Sequence, residues 1–170
     1  MKKDILLWQF AGFAFTVFLG TLLHFLYSLT NQSTIVAPFS AVNESTWEHM
    51  KLLYFPMLVF SFIQSKFFNA YQNFWCIKLT GIVIGLILIP IIFYTLNGVF
   101  GKTPDLVNIA IFFVSAFLTF LLEARLLKSE NFNCFSPKIA FLLILFIGFL
   151  FVIFTFFPPK IPLFKNPLSK

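Results

Sequence analysis

Apolar residues run along this chain in long stretches separated by short polar patches. Five stretches are long enough to predict helices, over residues 5–29, 46–66, 74–96, 106–128 and 138–157. A membrane-spanning helix needs about 20 mostly apolar residues, and each stretch meets that length. The pattern therefore predicts an all-α integral membrane bundle of about five transmembrane helices. It forms a single transmembrane domain over residues 1–170, with an irregular tail over 158–170 that Pro158, Pro159 and Pro162 keep from continuing the last helix.

The punctuation agrees. Asn97-Gly98 and the segment Gly101-Lys102-Thr103-Pro104-Asp105 read as turn chemistry, with Asp105 placed to cap helix four. Ser136-Pro137 reads as an N-cap followed by proline at the first helical position of helix five. Pro56 and Pro90 fall inside helices two and three and predict local kinks. The apolar run behind Met1-Lys2-Lys3-Asp4 is too long for a signal-peptide core and is expected to stay as helix one.

Composition sharpens the solvent. The sequence is 59% hydrophobic and 11% charged, with 28 phenylalanines among 170 residues. Soluble domains carry roughly 25% charged residues, so lipid is the expected surrounding. The net charge of +6 comes from residues at the ends of apolar runs. That is the placement of topology signals rather than of a nucleic-acid-binding face, so no nucleic acid is expected as a partner. With the N-terminus cytoplasmic, Lys2, Lys3, Lys66, Lys78, Arg125, Lys128 and Lys138 fall inside. Lys51, Lys102, Lys160, Lys165 and Lys170 fall outside. This bias predicts a multi-pass protein of the cell membrane with its N-terminus in the cytoplasm. Cys76 and Cys134 then lie on the reducing side and are expected to be unpaired thiols.

Polar residues inside apolar helices are costly unless they face protein or water. Gly12, Thr16, Gly20 and His24 recur at every fourth position of helix one, a narrow face on which another helix can approach closely. His24 then points into the bundle, about 7–8 Å below the outer end of its helix. Glu48 and His49 reach a similar depth on helix two, with Glu44 above them. His24, Glu48 and His49 are the candidate catalytic set, and the same three are the candidate metal ligands. Two histidines and a carboxylate suit zinc with one position left open. Asn43, Glu44, Trp47 and Lys51 are candidate ligand-binding neighbours.

A structural reading competes. Ser45-x-x-Glu48 matches a capping box, Trp47 suits an interfacial anchor, and Lys51 would pair with Glu48 or snorkel. On helix four, Asn108, Ser115, Thr119 and Glu123 share a face, with a local ion pair to Arg125 or Lys128 expected for Glu123 and a proton-relay or substrate-path role as the alternative. Gly81 and Gly85 form a GxxxG that serves either packing within the chain or a homodimer.

His24, the segment Asn43-Glu44-Ser45-x-Trp47-Glu48-His49-x-Lys51, and Pro158-Pro159-x-Ile161-Pro162-Leu163-Phe164 resemble a family of small multi-pass membrane proteins of Firmicutes that shares a domain of unknown function. The resemblance spans nearly the whole chain and implies a bacterial cytoplasmic-membrane location, without an activity. Two function classes follow. One is a membrane protein with a His/Glu pocket near the outer leaflet that binds or acts on a lipid or small apolar ligand, enzymatic or not. In the other, a structural or accessory subunit, those residues only clamp helices. A tail folded over the pocket mouth would be its lid.

Overall fold

The computed structural model describes residues 2–68, 70–101, 104–129 and 132–166. It is all-helical: α1 (Lys2–Leu29), α2 (Thr46–Ser65), α3 (Phe74–Phe100), α4 (Asp105–Lys128), α5 (Pro137–Phe156) and a short 3-10 turn, Pro162–Phe164. Local signals account for several ends. Ser45 caps α2 by accepting from Glu48 N, and Ser136 caps α5 by accepting from Ile139 N. Asn31 and Gln32 take positive φ just after α1 and reverse the chain. The expected turn at Asn97-Gly98 is instead the last turn of α3, where Asn97 Nδ2 donates to Phe93 O at 2.8 Å. The helix stops at Gly101, whose φ of 76° suits glycine. Pro104, not Asp105, occupies the N-cap position of α4; the Asp105 side chain lies outside the described residues.

Neighbouring helices alternate up and down. Gly12 faces Phe60 of α2 and Phe120 of α4, while Gly20 faces Leu52 and Phe112. The rise of one helix against the fall of the others makes α1 antiparallel to both. Likewise Gly81 meets Glu123 and Gly85 meets Thr119, setting α3 against α4. The GxxxG face is therefore occupied by α4 of the same chain. Tyr54 donates to Ile144 O at 2.6 Å and ties α2 to α5.

Four helices, α1, α3, α4 and α5, are long and apolar enough to cross a membrane. Their outward side chains, such as Phe10, Phe18, Ile87, Phe117, Leu142 and Phe149, are exposed apolar groups. A contiguous apolar exterior of this kind is stable in lipid and unstable in water. Helix α2 differs. It touches all the others and buries most of its residues. Because protein rather than lipid surrounds it, it accommodates Glu48, Lys51 and Gln64 at 2%, 0% and 0% exposure.

The cysteines are a correction. Cys76, in the first turn of α3, is bonded to Cys134 in the α4–α5 connection, with Cα atoms 5.7 Å apart. Two single cysteines 58 residues apart carry no pairing signal. Only the packing that brings Asn73 Nδ2 within 2.6 Å of Phe132 O makes them neighbours.

Candidate metal centre

The site is built by α1, α2 and the loop between them. The small face of α1 brings that helix against α2 and α4, and one turn beyond Gly20 it delivers His24. The capped start of α2 delivers His49, and Glu44 comes from the turn just before the cap. That turn is pinned by Ser45 N donating to Asn43 Oδ1 at 2.8 Å. The expectation that His24 and His49 share a depth holds, with ring centroids 5.8 Å apart. Glu44 lies between them, Oε1 at 3.9 Å from His24 Nε2 and Oε2 at 3.5 Å from His49 Nε2.

These three residues each offer a ligand atom, and the atoms lie within 4.8 Å of one another. Zinc bonds to nitrogen and oxygen are about 2.0–2.2 Å long, so ligand atoms in a tetrahedral shell sit roughly 3.3–3.6 Å apart. The set needs only small adjustments to meet that. His49 is also oriented for the task. Its Nδ1 lies 2.9 Å from the carbonyl of Ser45, which can only accept. A ring that donates from Nδ1 to that carbonyl has Nε2, on the Glu44 side, as the nitrogen it can offer a metal.

The carboxylate is a correction. The expected set contained Glu48, but Glu48 is tied up elsewhere. Its Oε2 lies 2.6 Å from Lys51 Nζ and accepts from Val42 N at 2.9 Å. The helical offset of about 100° per residue explains the exchange. It turns Glu48 away from the face of His49, while Glu44, in the loop, is free to lean back. The capping box is half formed: Ser45 caps Glu48 N, but Glu48 does not return to Ser45.

The other expected neighbours are structural. Lys51 does not snorkel; it is buried, donating to Ala37 O and Thr155 Oγ1, each at 2.9 Å. Trp47 is buried against Phe151 and Phe164, at 4.5 and 4.6 Å between ring centroids. The tail therefore stacks on Trp47, and none of its described residues lines the pocket. Asn43 caps its turn as described.

The triad forms the polar end of a cavity of about 460 Å³ between α1, α2 and α4. Its walls are otherwise apolar: Gly20, Phe25, Leu52, Ile109, Phe112 and Phe113, with Thr21 and Asn108 as the further polar groups. Sequence reading missed this α4 wall, because nothing in a Phe-rich helix marks which phenyl rings line a cavity.

A family model described as "Family of unknown function (DUF6512)" matches residues 1–170. The chain belongs to that family. No curated protein and no solved structure matches it. The family carries no activity, so function rests on the site itself.

Proposed function

We propose that this is a membrane-embedded binding protein whose His24, Glu44 and His49 hold one divalent cation of the zinc type at the polar end of a lipid-sized apolar pocket. The observation that carries the reading is the convergence of three ligand atoms, from two helices and a loop, where an apolar cavity ends. Three protein ligands leave a coordination position for water or for the polar group of a ligand. That geometry suits hydrolytic chemistry on an amphiphile as well as binding. Phe25 and Ile109, more than half exposed on α1 and α4, flank the cavity on the lipid side. A lipid-type molecule would enter between them from the outer leaflet.

The basic residues support a cytoplasmic N-terminus and hence an outward-facing pocket. The bond between Cys76 and Cys134, at the N-terminal end of the bundle, counts against that orientation, because structural disulfides persist on the oxidising side.

The test is metal content of protein purified without a histidine tag and loaded with zinc. About one ion per chain is expected, falling to near zero in Glu44→Ala and His49→Ala while both variants remain folded. A wild-type content near zero, or Glu44→Ala binding as wild type, overturns the reading. The triad would then be a clamp between α1 and α2.

A further inference from the structure

A second polar region lies at the opposite end of the bundle. Lys78 Nζ of α3 and Glu123 Oε2 of α4 are 2.6 Å apart and at most 1% exposed. This corrects the expected local pairing of Glu123 with Arg125 or Lys128. Lys78 Nζ also lies 5.5–5.9 Å from the ring centroids of Phe60, Phe74 and Phe120. A buried pair in such surroundings needs its remaining hydrogen-bonding positions satisfied. They are not, because Glu123 Oε1 has no partner among the described residues.

Glu123 is not isolated in this. Thr119 and Ser115, one and two turns back along α4, are fully buried, with hydroxyls that have no partner among the described residues. Thr119 and Glu123 both face the glycines of α3. At the same end of the bundle Gln64, near the end of α2, is fully buried, and neither amide atom has a partner among the described residues. The row on α4 starts at Asn108, which lines the outer cavity. From there to Glu123 is about 22 Å at about 1.5 Å per residue, most of the roughly 30 Å of a bilayer's hydrocarbon core.

Buried polar atoms are nearly always satisfied, by protein or by ordered water. Each one left bare costs about 1–3 kcal/mol. Water is the partner that a row of hydroxyls ending on a carboxylate oxygen would take. We propose that this row is a proton path through the protein, with Glu123 as its proton-carrying group. A proton arriving through water beside Thr119 adds to Glu123 Oε1 and makes a carboxylic acid next to the Lys78 ammonium. Loss of that proton to water at this end of the bundle restores the carboxylate and the ion pair. Lys78 is the charged partner of Glu123 among the described residues, and its charge keeps the carboxylate available between transfers. The path does not depend on metal at His24, Glu44 and His49.

The test uses full-length protein in liposomes loaded with a pH-sensitive dye, driven by a potassium diffusion potential. Wild type should acidify or alkalinise the lumen several-fold faster than protein-free vesicles. Glu123→Gln should fall to the protein-free rate, and the near-isosteric Thr119→Val should lose most of the flux. Thr80→Val, which removes a hydroxyl bonded within α3 to Cys76 O, should keep it. If Glu123→Gln does not fold, Thr119→Val carries the test alone. A wild-type rate equal to protein-free vesicles, or full flux in Thr119→Val, overturns the proposal.

Discussion

The Glu48–Lys51 pair offers the most direct measure of how the centre of this bundle is held. Both side chains are almost fully buried, and Lys51 Nζ makes three contacts: Glu48 Oε2 at 2.6 Å, Ala37 O at 2.9 Å and Thr155 Oγ1 at 2.9 Å. Glu48 in turn accepts from Val42 N. The pair thus joins α2 to the α1–α2 loop and to α5. In Lys51→Met the carboxylate keeps only Val42 N. Leaving one member of a buried pair uncompensated costs about 3–5 kcal/mol. The bare Ala37 carbonyl adds about 1–3 kcal/mol where water does not reach it. On the scale of about 2–4 °C per kcal/mol for a chain of this size, the pair loss alone lowers the melting temperature by about 6–20 °C. The double variant Glu48→Leu/Lys51→Met removes both charges. Its loss should be smaller than that of Lys51→Met, because an apolar pair often replaces a buried ion pair without penalty. Thermal unfolding of the four proteins in one detergent, followed by tryptophan fluorescence or light scattering, measures the cycle. Two results would refute the reasoning: a loss below about 1 kcal/mol for Lys51→Met, as at an exposed pair, or a double variant equal to the sum of the singles.

Gly12→Ala should destabilise by about 1–3 kcal/mol, since its Cβ would sit 2.5 Å from Phe120 and 2.6 Å from Phe60. Gly98→Ala should stabilise by about 0.5–1 kcal/mol, because it lies in a helix with nothing near its Cβ position; matched melting curves check both signs. Trp47→Ala should cost about 3–5 kcal/mol and release the tail from its Phe164 stack, read as faster proteolysis beyond Phe157. Thiols trapped with maleimide in intact cells should label Cys76 and Cys134 if their end of the bundle faces the cytoplasm. A bond already present in cells reverses the orientation, because structural disulfides persist only on the oxidising side.

Much of this molecule was determined by sequence. Helix length and apolarity follow from local composition, since a backbone in lipid must satisfy its own hydrogen bonds. Ser45 and Ser136 marked helix starts, and the four-residue spacing from Gly12 to His24 marked a buried face, because a helix repeats on that period. The same reasoning set His24 and His49 at one depth. What sequence left open was pairing. Glu44 and Glu48 are equivalent as text, and only the roll of α2 decided that one meets the histidines while the other meets Lys51. Cys76 found Cys134, and Glu123 found Lys78 instead of its own helix's cations, because α3 and α4 approach at Gly81 and Gly85. Those partners are distant along the chain, and long-range proximity is a property of packed surfaces rather than of any local segment. The central place of α2 was likewise hidden. Its polar residues reduce its apolarity as a spanning helix, yet four surrounding helices make those residues tolerable.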